Sequence, residues 1–384
     1  MKAGRDIKEI ATQLAWINDN GVDFLEPQGA MSMFGGGSEE VSETLCGDVM
    51  KVHVGRSQDI STTGKFFRLG EVAHAQLSQS LQIPKPYYDR MKTENPQLLT
   101  WNVNEWLRKD PERKKFIRTL NDPRAINDPQ NSQWIHGDHI RAILSDSYRP
   151  LDNYDLMGAI MPVLEEQDLE IKSCELTTTR LYIKAIMERR LSEVEVGDII
   201  SIGVCIQNSD VGMGALRIEP LIERLSCKNG MRVNIADAGE KRVHRGSRLS
   251  SVQDIGACQA YKSNETRRAE DHAFWLNIRD GVKSCTDNAI LSDVAHAFRM
   301  AKGIEIRGNT LDVVTDVGRK VDLGVQEIEG VMEHLMKSND LSQYGLANAV
   351  TRYSQDVESY DRATELEGKG WNVMTMSSVN FSSN

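Results

Sequence analysis

"DIISIGVCIQN" (198–208) is the stretch from which the architecture follows. Ile200, Ile202, Val204 and Ile206 fall on one face of an extended chain, and Ser201, Gly203 and Cys205 on the other. A period of two marks a β-strand, because successive side chains leave opposite sides of a pleated backbone. The same alternation runs through "LEIKSCEL" (169–176) and "RLYIKAIME" (180–188) just before it. Strands so close in sequence pair antiparallel. Small residues along one strand face let another body approach closely. A packed helix is the commoner cause of such a face, and a ligand the rarer one.

On the N-terminal side, Ile7, Ile10, Leu14 and Ile17 predict a helix over 5–19 that ends at Asn20-Gly21. "MFGGGSEE" (33–40) reads as a loop, and "TTGKFF" (62–67) lacks the Ser or Thr of a phosphate-binding loop. Helices are expected over 69–81 and 96–108, with a third opened by Pro86 between them. "KKFIRTL" (114–120) alternates like a strand. "HGDHIRAILSDSYRP" (136–150) reads as a helix start that stops at Arg149, since Pro150 forces its predecessor out of helical geometry. "NYDLMGAIMPVLEE" (153–166) is helical, with Leu156, Ile160 and Leu164 on one face. From Glu265 onward the patterning is helical and ends in a frayed Ser/Asn-rich tail.

The expected fold class is therefore α+β: a central antiparallel sheet, flanking helices and a C-terminal helical subdomain. Boundaries fall at 1–110 (mostly helical), 111–262 (the α+β core), 263–372 (helical) and 373–384 (a flexible tail).

A chain of 384 residues, 40% hydrophobic and 27% charged, can bury a core of this size. Its six cysteines lie at least 22 positions apart, so no CxxC pair suggests a zinc ribbon or a thioredoxin-type site. The start has no signal-peptide apolar core and no run reaches the roughly 20 residues of a membrane span. A reducing cytoplasm is the expected location, with the cysteines free and mostly buried.

Catalytic signatures are thin. His136-Gly-Asp-His139 offers two imidazoles and a carboxylate, but no second cluster completes a metal site, and a turn at a helix start is preferred. Eight histidines are scattered without a partner for a nucleophile. "NSDVGMGALRIEP" (208–220) carries Gly212-x-Gly214 without the third glycine of a dinucleotide loop. No metal, cofactor or catalytic residue is expected.

Charge says more. Net charge is −10, yet residues 217–248 hold eight bases against four acids, a local +4 that leaves −14 on the rest. In "RLSCKNGMRV" (224–233), Asn229-Gly230 suits a tight corner between paired strands. Arg224, Lys228 and Arg232 surround that corner, and "KRVHRGSR" (241–248) adds Lys241, Arg242, His244, Arg245 and Arg248. A ribbon of cations separated by small residues can follow a phosphate backbone. Arg141, Tyr148, Arg149 and Arg180 join the candidate contacts. Tyr148, Tyr182 and Tyr261 are candidates to stack on unpaired bases, although each alone reads more simply as core.

Four blocks, "RAILSDSYRPLDNYDL" (141–156), "NSDVGMGALRIEPLIERLSCKNGM" (208–231), "VHRG" (243–246) and "YGLANAVTRY" (344–353), resemble a phage- and plasmid-borne family of unknown function. The resemblance spans roughly 110–360 and implies a mobile-element origin with an α+β core. Where many relatives have His-Thr-Gly, this chain has the more basic His244-Arg245-Gly246.

The expected function is nucleic-acid binding, single-stranded DNA foremost, in replication, recombination or early transcription. Phage or host replication and transcription proteins are the expected partners, a homo-oligomer the expected state, and no membrane is involved. Strand-annealing rings share this combination of sheet, helices and basic ribbon as a fold-level analogy. Two alternatives stand beside it. A nucleotide- or signal-processing enzyme would use Arg149, Asn153 and Asn229 as ligands and gather Tyr148, Arg149, Asn229 and His244 in a deep pocket. A host-takeover adaptor would show neither groove nor pocket.

Overall fold

The strands expected over 169–208 form as β7 (Glu170–Leu176), β8 (Leu181–Glu195) and β9 (Asp198–Asn208), paired antiparallel in chain order. β10 (Leu216–Arg224) lies on the far side of β9. The computed structural model describes residues 1–35, 51–54, 65–121, 139–225, 229–234, 240–242 and 264–382, with the backbone alone at 51–54, 65–66, 189–190, 240–242 and 264–272.

Two short strands share the outer edge of β10. β11 (Asn229–Arg232) pairs with Leu221–Arg224, and β12 (Glu240–Arg242) pairs with Leu216–Ile218. Pro220 lies between these stretches, where its carbonyl accepts from the Val233 N–H at 2.9 Å. Having no N–H to return, Pro220 marks the place where the edge ladder is interrupted.

Helices cover both faces of this sheet. α1 (Ile7–Asn20), α5 (Asn153–Glu166) and α6 (Asn264–Cys285) pack on Val204 and Ile206, and α7 (Asn288–Lys302) joins the cluster around Ile200 and Ile202. The small-residue face receives α11 (Tyr360–Met374), whose Glu367 reaches Lys184 directly opposite Cys205. Gly203 has a further cause. A Cβ there would stand 2.0 Å from the Ala185 carbonyl of β8, beside the register shift between Ile186 and Leu191.

The sheet formed earlier in the chain, the first sheet, was not legible, the second being that of β7 to β12. β1 (Gly21–Pro27), β2 (Met31–Phe34), β3 (Lys51–Val54), β4 (Lys65–Leu69), β5 (Lys114–Leu120) and β6 (His139–Ser145) run in the order β1-β5-β6-β4-β3-β2. Its ladders are antiparallel except β4 with β6. α2 (Glu71–Ser80), α3 (Lys85–Glu94) and α4 (Pro96–Lys109) pack Leu77, Tyr88, Leu99 and Val103 on Phe67, Ile117 and Ile140.

Several expectations are corrected here. Within the helix start expected over 136–149, His139–Ser145 form strand β6 instead, held between β5 and β4 with Ile140, Ala142 and Ile143 all buried. A short apolar run buried on both faces has no period that separates strand from helix. Four strands lie within the mostly helical region 1–110, and β1 pairs with β5, so a boundary at 110 would cut the first sheet. Asn229 and Gly230 belong to β11 rather than to the corner, because Arg224 pairs with Asn229 and the chain reverses between them. The glycines at 36–37 and the segment 62–64 lie outside the described residues.

The C-terminal subdomain continues from α6 and α7 through α8 (Thr310–Lys320), α9 (Val325–Ser338) and α10 (Gln343–Tyr353) to α11. Asp287, Asn309, Ser342 and Ser359 each accept a first-turn N–H, which fixes where four of these helices begin. The tail is not frayed throughout. Ser378–Phe381 form a 3-10 turn that buries Phe381 in the core of α7–α10. Among the described residues no helix is long and apolar enough to cross a membrane. Cys174, Cys205 and Cys285 are free and buried, and burial pushes the first two thiols up to about 12.

Candidate nucleic-acid edge and the cleft beside it

The Gly212-x-Gly214 segment joins β9 to β10, so strands flank it on both sides and no helix follows. That geometry removes the dinucleotide reading. The turn instead plugs against the first sheet. Gly212 sits at φ 76°, and a Cβ there would meet Leu144 Cδ2 at 2.4 Å. Gln76 Nε2 donates to the Val211 carbonyl at 2.7 Å, and the Tyr148 hydroxyl donates to the Ser209 carbonyl at 3.3 Å.

Charged side chains hold the same junction. Arg118 donates to the Asp210 carbonyl at 2.7 Å and pairs with Asp152 at 2.5 Å and Asp23 at 3.0 Å. Arg141 pairs with Asp210 at 2.8 Å, both side chains being more than nine-tenths buried. Between these groups lies a cleft of about 180 Å³, bordered also by Asn153 and Tyr154. Burial raises the Asp23 pKa above the ordinary aspartate value. Burial works against ionised Asp210 too, but the Arg141 and Arg118 guanidiniums outweigh it and hold that pKa low. The available signal was Arg118 itself, a charge set between Ile117 and Leu120 in the strand "KKFIRTL", since such a residue is rarely buried unless paired.

The candidate contacts divide between the two ends of β10. At the C-terminal end they are engaged internally. Arg224 pairs with Asp198 at 2.5 Å and lies 5.3 Å from the Tyr344 ring centroid. Arg232 pairs with Glu219 at 2.5 Å and donates to the Thr364 carbonyl at 2.9 Å. Asn229 is buried, accepts from Gln355 at 2.7 Å and donates to the Asn348 carbonyl at 3.4 Å. These three candidate contacts thus have internal partners at this end of β10. Strand rise alone separates the ends of β10 by roughly 27 Å. Tyr148 and Asn229 accordingly do not share a site.

The other end is where cations gather. Arg180 donates to the Met213 carbonyl at 2.6 Å. Arg217, which the sequence did not single out, keeps its side chain 40% exposed and is 3.4 Å from a Glu219 already engaged by Arg232. β12 places Lys241 opposite Arg217 and Arg242 opposite Leu216. Arg149 is exposed and follows Tyr148, which is half-buried with its ring stacked on Phe116 at 6.2 Å. Arg141 borders the cleft and is held by Asp210. Tyr182 is buried at 1% exposure against Tyr360, which removes it as a stacking platform. Lys228, His244, Arg245, Arg248 and Tyr261 lie outside the described residues.

Of the metal candidates, His139 is buried in β6 and His136 lies outside the described residues. Among the described residues no three His, Cys, Asp or Glu side chains come together as a metal site. Compared with family models, with curated proteins and with solved structures, the chain matches none.

Proposed function

We propose that the protein binds nucleic acid, single-stranded DNA foremost, through phosphate contacts at the end of the second sheet that carries Arg180, Arg217, Lys241 and Arg242, with Arg149 contributed by the segment after β6, next to the Tyr148 that reaches Ser209. One observation carries this reading: the β12 register sets Lys241 directly opposite Arg217. Like charges opposed across a ladder destabilise it. A phosphate shared between them would reverse that cost. The cationic run continues in sequence to Arg248, within a chain of net charge −10. Phosphate contacts of this kind supply affinity and position without reading sequence.

As part of the same proposal, the resemblance to phage- and plasmid-borne proteins sets the work in a mobile element's replication, recombination or early transcription. The protein would act there as a homo-oligomer in the host cytoplasm, beside phage or host replication or transcription proteins. The enzyme reading needs Tyr148 and Asn229 in one pocket, and their positions at opposite ends of β10 do not favour it.

The test is fluorescence anisotropy of a labelled single-stranded oligonucleotide across a salt series, with wild type and an R217A/K241A/R242A variant. Each lost phosphate contact should flatten the log–log salt slope by about 0.7, so three should remove about 2. A folded triple variant with unchanged affinity and slope would refute the proposal.

A further inference from the structure

We infer that the cleft between the two sheets is a pocket for one nucleobase, with Tyr154 as the stacking face at its mouth. The choice of ligand rests on the nucleic-acid reading; the pocket itself rests on separate observations.

The first is an unpartnered donor whose orientation is fixed. Asn208 Nδ2 donates to the Leu151 carbonyl at 2.9 Å and to Asn153 Oδ1 at 2.8 Å. Asn153 must therefore present its Nδ2 elsewhere, yet that buried atom has no hydrogen-bond partner among the described residues, on a side chain of a residue only 2% exposed. Arg118 Nε is in the same condition on a residue 6% exposed. Both residues line the cleft. Asp152, at the N-cap of α5, makes no capping bond, because its carboxylate is engaged by Arg118. The first-turn N–H groups of α5 thus lack their usual side-chain acceptor.

Charge then selects the ligand. Asp23, Asp152 and Asp210 face two guanidiniums, Arg118 and Arg141, so an entering phosphate would meet no net positive charge. What fits is a neutral group that can donate to Asp23 or Asp152, whose side chains remain 29% and 37% exposed, while the Asn153 and Arg118 nitrogens, themselves closed to solvent, need a small side-chain shift to meet an acceptor on it. The edge of a nucleobase carries both functions. About 180 Å³ is the room of about six waters at ~30 Å³ each, enough for a single-ring base. Tyr154, 45% exposed, borders both this cleft and an apolar groove with Met157 and Trp275. Position agrees as well. Asp210 lines the cleft, and three residues further on the Met213 carbonyl receives Arg180 from the proposed phosphate edge. The competing account is a water-filled ion-pair network that only fastens the sheets together.

Calorimetric titration of the full chain with thymidine, with cytidine and with ribose 5-phosphate separates the two. A nucleoside should bind and the base-free phosphate should not. Y154A, at an exposed position, should weaken nucleoside binding about tenfold, and Y154F should stay within about twofold, as expected for stacking. No nucleoside binding at millimolar concentration, equal binding of ribose 5-phosphate, or a folded Y154A with wild-type affinity would each overturn the pocket. The two proposals fail separately. An abasic strand that binds as well as a normal one removes the pocket and leaves the edge, whereas an R217A/K241A/R242A variant that keeps its nucleoside affinity supports the pocket even if strand binding is never seen.

Discussion

Lys184 and Glu367 form an ion pair with both side chains fully buried, Nζ and Oε2 being 2.8 Å apart. The pair joins β8 to α11 across the small-residue face of the second sheet. At that separation and an effective dielectric of ~20, their Coulomb attraction is about 6 kcal/mol. Taking each ion out of water costs several kcal/mol, so the pair nets little against an apolar pair of similar volume. Its geometry is also imperfect. No hydrogen bond joins Lys184 Nζ to either Glu367 oxygen despite the short separation, the Tyr360 ring lies 4.7 Å from Nζ, and the Met1 amino group and the Arg232 guanidinium add charge nearby. Removing one partner is a different matter, because it strands a charge. Lys184→Met alone, or Glu367→Leu alone, should cost about 3–5 kcal/mol of unfolding free energy. The double variant should lie within about 1 kcal/mol of wild type or exceed it. Urea unfolding followed by far-UV circular dichroism gives all three values, and the coupling is their departure from additivity. Single variants losing under about 1 kcal/mol, or a double variant worse than either single, would refute the reasoning.

Three further outcomes are expected. Burial lowers the His74 pKa to about 4, with the ring 2.8 Å from the Tyr88 hydroxyl through Nδ1, so the unfolded chain binds the proton first as pH falls. Stability should be full above about pH 6.5 and decline by about 3 kcal/mol towards pH 4; urea midpoints that fall just as far in His74→Gln would assign the loss to other groups. Gly203→Ala drives a Cβ against the Ala185 carbonyl and should cost about 1–3 kcal/mol or more, read as a lower Tm; an unchanged Tm would show that β8 yields there. Asn229→Ala takes from Gln355 the acceptor it meets at 2.7 Å, while the Asn348 carbonyl keeps the Thr351 hydroxyl, and should cost about 1–3 kcal/mol while single-strand affinity holds in the folded fraction, so a selective loss of affinity would return Asn229 to the binding site.

Local periodicity determined the second sheet and most helices. Ile200, Ile202, Val204 and Ile206 alternate cleanly because each apolar residue meets a helix on one face of β9, and caps such as Asp287 and Ser342 are written beside the turns they close. The first sheet escaped because its strands are brought together from distant parts of the chain. β1 pairs with β5 some ninety positions later, and β6 buries Ile140 and Ala142 on one face and Ile143 on the other, so its apolar residues alone do not distinguish it from a helix. The same division runs through the candidate site. A basic run was visible by counting, but Arg224 and Arg232 have exactly the composition of ligand contacts until Asp198 and Glu219 are seen beside them. Register alone placed Lys241 opposite Arg217. Sequence determined which residues carry charge and which stretches can be helix or strand, since those are properties of neighbours along the chain. Only the tertiary structure decided which charges are neutralised and which donors of Asn153 and Arg118 have no partner among the described residues, since both depend on other elements.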